Sequence, residues 1–205
     1  MFTGIIAAIG EIQAVTPLTD QSDSGVRLVV AAGGLDLSDV ALGDSIAING
    51  ACMTAVELDL ERNTFAVDVS NESLSKTASL NQTGFCNLEK AMRLSDRLGG
   101  HMVSGHVDDV ARIVKFEPVA ESFELVFEVP IKWRRFIADK GSVTLHGTSL
   151  TVNRTWFDEA SVYGTINLIP HTIAHTVFQH LKVGEAINLE IDLLARYVDQ
   201  LLVKN

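Results

Sequence analysis

Basic residues are scarce in this chain and cysteines scarcer. Its 205 residues include 16 Lys or Arg against 26 Asp or Glu, a formal net charge of -10. Such a surface repels nucleic acid and anionic membranes at long range, which leaves a small, largely neutral ligand as the expected partner. No basic residue precedes Arg27, so the charged opening of a secretory signal is missing. No apolar run approaches the ~20 residues needed to cross a bilayer. The expected location is the cytosol, with Cys52 and Cys86 as free thiols, since their spacing suits neither a metal site nor a disulfide framework. Also absent are a phosphate-cradling glycine loop, a dinucleotide fingerprint and a serine-hydrolase elbow.

What is present is a repeat. MFTGII at the start matches MVSGHV at Met102 to Val107, and GDSIAINGACMTAV (Gly43 to Val56) matches KGSVTLHGTSLTVN (Lys140 to Asn153). Further on, Glu72-Ser73-Leu74 falls opposite His171-Thr172-Ile173, and Asn87-Leu88-Glu89 recurs as Asn188-Leu189-Glu190. Matches that stay in order over a whole module indicate internal duplication. Within each copy the apolar period is two: Phe123, Leu125, Phe127 and Val129 alternate, as do Ile187, Leu189 and Ile191. Short strands punctuated by Gly33-Gly34, Asn49-Gly50 and His146-Gly147 predict an all-β fold, one small closed barrel per copy, because closure removes exposed edges. Gly99-Gly100 marks the expected junction. From Asp192 to Lys204 the period lengthens, with Leu194, Tyr197, Val198, Leu201 and Leu202 on one face of a helix. A helix this short needs a docking surface. Its own barrels are one choice; a bundle with the same helix of other subunits is the favoured one.

Positions that differ between matched copies point to chemistry, because the fold alone treats both copies alike. Cys52 stands opposite Ser149, Asn49 opposite His146, Glu72 opposite His171, and Ile5 opposite His106. Thr54 and Thr151 share a sheet face with Cys52 and Ser149, which suggests two pockets of like shape and unlike chemistry. His171, His175 and His180 lack an acidic or thiol partner at ligand spacing, so no metal is expected. His101 and His106 flank a glycine-containing turn, where either a structural or a proton-carrying role is open.

Together the motifs MFTGI, NGACMT, GGHMVSGHVD, GTSLTVN, LIPHT and NLEIDLLARYVDQL resemble the riboflavin synthase family in order and spacing over the full chain. The resemblance implies two tandem six-stranded Greek-key barrels (1–97 and 98–192, each lumazine-binding) and a C-terminal oligomerisation helix (193–205). It implies a cofactor-free transferase that dismutates two molecules of 6,7-dimethyl-8-ribityllumazine into riboflavin and 5-amino-6-ribitylaminouracil. It further implies a homotrimer, with each site between the first barrel of one subunit and the second of another, and lumazine synthase as an associated protein. Carried over by position, Phe2, Gly4, Ile5 and Ile6, with Cys52, Met53 and Thr54 and with Asp68, Val69, Ser70, Asn71, Glu72 and Ser73, would line the first pocket. Gly105, His106 and Val107, then Lys140, then Ser149, Leu150 and Thr151, and Asn167, Leu168, Ile169, Pro170, His171 and Thr172 would line the second. His106 is the expected proton carrier, with Cys52, Ser45 or water as nucleophile and Asp192 as a further catalytic candidate. Ile5 to Ile9 and Thr16 to Gly25 match no family motif. Two other readings are a non-catalytic lumazine-binding antenna protein and an interaction module without catalysis.

Overall fold

The computed structural model describes residues 1–21 and 23–202. In repeat 1 the alternating apolar positions fold as β1 (Ala8–Pro17), β2 (Val26–Ala31), β3 (Ser45–Ile48), β4 (Ala51–Asp59), β5 (Thr64–Val69) and β6 (Gly84–Lys90), with a short helix α1 (Asn71–Lys76) before the last strand. Repeat 2 supplies β7 (Asp109–Val119), β8 (Ser122–Pro130), β9 (Ser142–Leu145), β10 (Thr148–Phe157), β11 (Ser161–Leu168) and β12 (Ala186–Ile191), with α2 (Pro170–Ala174) at the place of α1. Each set closes into an antiparallel barrel, in the order β1-β2-β5-β4-β3-β6 for repeat 1. Read in the same sense, β7-β8-β11-β10-β9-β12 is the identical order for repeat 2. This non-sequential order is the topology of a six-stranded closed barrel in both copies.

The duplication extends to irregularities. Extra residues bulge out of β1 and β4, between Ile12 and Ala14 and between Ala55 and Glu57, and out of β7 and β10, between Ile113 and Lys115 and between Val152 and Arg154. A bulge bends its strand and sharpens the local twist, which helps a narrow sheet close. β3 and β4 are joined by Asn49-Gly50, β9 and β10 by His146-Gly147, and all four residues have positive φ between 47° and 82°. That is the two-residue turn whose twist matches the strands it connects. The two turns face each other: a Cβ on Gly50 would lie 2.6 Å from the Gly147 nitrogen, and one on Gly147 would lie 2.7 Å from the Gly50 nitrogen. A local two-fold axis runs between them, and only glycine permits the approach.

Each barrel buries its own core. Leu28, Ile46, Phe65 and Leu88 fill the first, and Phe127, Leu145, Phe178 and Leu189 the second. Truncating such an aromatic to alanine costs about 3–5 kcal/mol.

The tail is helical over α3 (Leu193–Leu202), and Asp192 caps it by accepting the Leu194 N–H at 2.9 Å through Oδ1. Ion pairs of Arg196 with Asp108 and Arg135 with Asp199 tether its polar side to barrel 2. None of its residues is buried, and Leu194, Tyr197, Val198, Leu201 and Leu202 are 54–84% exposed. The apolar stripe therefore does not dock on its own barrels, the first of the two choices weighed above. Lys204 lies outside the described residues. No helix among the described residues is long and apolar enough to cross a membrane.

Candidate active site

The two barrels exchange their leading segments. Phe2 N–H donates to the Val103 carbonyl at 2.8 Å and Val103 N–H to the Phe2 carbonyl at 3.1 Å, a symmetric bridge. Beyond it the segments part in opposite directions. The Cys52 N–H on β4 donates to the Gly105 carbonyl at 2.8 Å, and the Ser149 N–H on β10 donates to the Gly4 carbonyl at 2.7 Å. Both glycines have positive φ, and a Cβ on Gly105 would lie 2.6 Å from Cys52 Cβ, as one on Gly4 would from Ser149 Cβ. Two buried carboxylates hold the segments. Glu89 accepts the Thr3 N–H, the Thr3 hydroxyl and the Gly4 N–H at 2.7, 2.7 and 3.0 Å. Glu190 accepts the Ser104 N–H, the Ser104 hydroxyl and the Gly105 N–H at 2.6, 2.7 and 3.0 Å. Burial pushes both carboxyl groups above the usual range, against the pull of these donors.

This exchange corrects the grouping drawn from sequence. Gly105, His106 and Val107 do not join Ser149; they line a cavity of about 200 Å³ with Cys52, Met53, Glu72, Ser73 and Lys76. Val107 packs against the core of barrel 1. Gly4 in turn leaves Cys52 for Ser149, Ile6 lies beside Gly50 and Gly147 at the seam, and exposed Ile5 lies near Gly99. The physical cause is the antiparallel bridge at Phe2 and Val103, which sends each segment onto the other repeat. Phe2 stays fully buried against Ala47, Val103 and Cys52.

The remaining candidates divide by sheet face. On β3 and β4 the pairs Cys52–Ala47 and Thr54–Ser45 stand opposite each other, so Ser45, Cys52 and Thr54 share the outward face. Met53 and Val69 point into the core. The β4–β5 pairing ends at Ala55–Val67, with Thr54 and Asp68 as the residues flanking that last pair. Asp68 is gripped by Arg27 through two hydrogen bonds of 2.7 and 3.0 Å, and that guanidinium holds its carboxyl below the usual range. Ser70 caps α1 by accepting the Ser73 N–H at 3.1 Å, with Asn71 and Glu72 exposed on the first turn.

Barrel 2 repeats the layout with other groups. Ser149 stands opposite Thr144 and Thr151 opposite Ser142. The β10–β11 pairing ends at Val152–Ile166, flanked by Thr151 and by Asn167, whose Oδ1 accepts the Ser122 hydroxyl at 2.8 Å. Leu150 and Leu168 are buried, Ile169 precedes α2, and Pro170, His171 and Thr172 form its first turn. Lys140 is exposed in a left-handed turn at the position of Gly43. His171 and His175 stack with ring centroids 4.1 Å apart, while His180 stacks on Phe85 instead. No group of three metal-ligating side chains comes together among the described residues.

His101, left open from the sequence between a structural and a proton-carrying role, joins the outward face of barrel 2. His101 bonds Ser149 Oγ through Nδ1 at 2.7 Å and Thr144 Oγ1 through Nε2 at 3.1 Å. Burial lowers its pKa, with Asp192 opposing. The signal was Thr144 standing where repeat 1 has Ala47, a polar partner that only one copy needs. Cys86, by contrast, is sealed in core 1, and its thiol is pushed up to about 12.

A model of the lumazine binding domain matches the chain twice, at residues 3–91 and 104–192. A riboflavin synthase of Photobacterium phosphoreum is 42% identical over 205 residues, covering 99% of this chain and 89% of that protein. One from Bacillus subtilis (strain 168) is 36% identical over 206 residues, covering 100% and 91%. Among solved structures, LumP complexed with riboflavin superposes with a TM-score of 0.79 at 19% identity, over 93% of this chain and 99% of that one. LumP complexed with 6,7-dimethyl-8-(1'-D-ribityl) lumazine gives a TM-score of 0.77, also at 19% identity and covering 93% and 98%. At that identity the likeness concerns the fold.

Proposed function

This chain belongs to the riboflavin synthase family of lumazine-binding-domain proteins, and from that membership we propose how its two outward faces divide the work. The reaction is the dismutation of two 6,7-dimethyl-8-ribityllumazine molecules: a four-carbon unit leaves one and joins the other, giving riboflavin and 5-amino-6-ribitylaminouracil. Every carbon, nitrogen and hydrogen of the two substrates is recovered in the two products, so no outside oxidant enters. Two identical reactants call for two like pockets, and holding both removes much of the entropic barrier.

The observation that carries this reading is the repeated outward face, Cys52 and Thr54 beside Ser45 in barrel 1 and Ser149 and Thr151 beside Ser142 in barrel 2. One lumazine sits against each. At the Cys52 end of barrel 1, His106 takes a proton from the acidic C7 methyl group of a bound lumazine, and Cys52, Ser45 or a bound water supplies the nucleophile that turns a lumazine into a donor. His101 holds the Ser149 hydroxyl in one orientation, so barrel 2 presents a fixed polar contact. The exposed stripe of α3 joins three subunits, pairing barrel 1 of one with barrel 2 of the next. The enzyme works in the cytoplasm, where lumazine synthase is a partner consistent with its substrate.

Incubating the protein with 6,7-dimethyl-8-ribityllumazine and following riboflavin fluorescence tests the activity. Binding without turnover would instead identify a non-catalytic antenna protein. Deleting residues 193–205 is expected to give monomers by sedimentation, with turnover lost; an active trimer lacking the tail would refute the role assigned to α3.

A further inference from the structure

A second cavity lies at the seam between the repeats, beside the facing Asn49-Gly50 and His146-Gly147 turns. It encloses about 410 Å³, within the range of small-molecule sites. Neither Cys52 and His106 nor Ser149 and His101 lines it.

Its inner end is set by the local two-fold axis. Asn49 Oδ1 accepts the Asn87 N–H at 2.8 Å, and at the matching place His146 Nδ1 accepts the Asn188 N–H at 3.1 Å. Asn87 and Asn188 then cross the seam, donating through Nδ2 to the His146 and Asn49 carbonyls at 2.8 and 2.9 Å. These bonds use the acceptor of each turn side chain and fix its orientation. With Nδ1 of His146 accepting, the ring proton is on Nε2. Neither His146 Nε2–H nor the Asn49 carboxamide N–H finds a partner among the described residues, although each residue is only 1% exposed and lines the cavity. Two donors on equivalent, otherwise buried residues thus open onto one space. No buried side-chain nitrogen or oxygen among the described residues lacks a partner, so each of these donors is open to the cavity, where a ligand oxygen or a water can accept from it.

The rest of the lining narrows the ligand. Ser79 and Gln82 add a hydroxyl and a carboxamide, Glu185 is the single carboxylate, and no Lys or Arg is present. An anion would meet Glu185 with no cation to offset it. A metal ion would meet one carboxylate and two N–H donors. A polyhydroxylated molecule suits every group, since a hydroxyl both accepts and donates. The exposed ring of Phe85, stacked on His180 at 4.5 Å, provides a flat apolar wall for its C–H groups.

We propose that this seam cavity binds a small neutral polyol, held by the N–H donors of Asn49 and His146 and separate from the lumazine faces. Ribitol is the probe, titrated into the full-length protein labelled with 15N-histidine. The expected result is a shift of the His146 imidazole signals, abolished by Thr83→Trp, which fills the rim and weakens ribitol binding by about tenfold or more. Riboflavin formation should be unchanged in this variant. If Thr83→Trp does not fold, Gln82→Ala replaces it, with about a threefold loss expected from one missing hydrogen bond. An unmoved His146 signal, equal ribitol affinity in the variant, or a response to inorganic phosphate in place of ribitol each overturns the proposal.

Discussion

Barrel 1 and barrel 2 agree where side chains meet backbone and differ where they meet solvent. Glu89 and Glu190 hold leading segments through the same three contacts, and Asn87 and Asn188 cross the seam alike. On the outward faces, Cys52 lies beside Ala47, and Gly105-His106 approaches it; Ser149 lies beside Thr144, with His101 bridging the two. Duplicated sequence is conserved by the bonds that close the fold, whereas the outward faces were free to separate. Under the proposed dismutation, with two identical substrates in a donor and an acceptor role, that separation would let them behave differently.

The sharpest way to break this comparison is to exchange the unlike residues. His106→Ile gives repeat 2 the residue of repeat 1 and should lower kcat about 100-fold, the scale of a lost proton carrier, with lumazine binding retained in fluorescence titration. Ile5→His, the mirror change, should leave kcat nearly as it was. Equal losses from both would show that the faces are interchangeable. Cys52→Ser, which copies Ser149 into barrel 1, should lower kcat by a smaller factor of about 10, because a hydroxyl is a poorer nucleophile than a thiol at neutral pH; wild-type turnover would remove the thiol from the mechanism and leave Ser45 or water.

Stability gives the next largest effect, and here the barrels should respond alike. Glu89→Leu and Glu190→Leu each strand three donors, two of them backbone, and each should cost about 1–3 kcal/mol in urea unfolding. Only Glu190→Leu also displaces His106, so its kcat should fall as well. If Glu89→Leu impairs turnover equally, the exchanged segments matter for both faces.

Counted per pH unit, the smallest effect is the titration of one buried ring. His146 is buried as the neutral imidazole, its pKa lowered from the ordinary 6.5 to about 3. A depressed histidine contributes stability above the unfolded value and loses it as pH falls through 6.5 toward 3, on the order of 1 kcal/mol per pH unit. Asn49, its counterpart, has nothing to titrate. His146→Asn should therefore flatten the urea midpoint between those limits relative to wild type, while Glu89 and Glu190 contribute equally to both proteins. Parallel pH curves would show that His146 charges without unfolding the seam.

The barrels, the repeat and the tail were legible because each is local. Period-two strands, Asn-Gly and His-Gly turns and a 3.6-residue stripe are written in neighbouring residues. The grouping of Gly4 to Ile6 with Cys52 went astray because segment exchange depends on a pairing a hundred residues apart, Phe2 with Val103, which leaves no periodic mark. Asn87-Leu88-Glu89 and Asn188-Leu189-Glu190 were visible as a repeat, and their buried amide and carboxylate were the overlooked clue. A polar residue buried at the same strand position in both copies, on the face away from the barrel core, has a partner to satisfy, which for both amides lies in the other copy.

The exchanged segments also bear on how such a chain arose. A lone repeat would leave its own strand β4 or β10 without the glycine carbonyl that caps it, and two copies would satisfy each other about a two-fold axis. In that symmetric pair, every substitution would be made twice, so a thiol on one face would require a thiol on the other. Joining the copies end to end kept the mutual embrace and released the symmetry, and a single mutation could then mark one face alone.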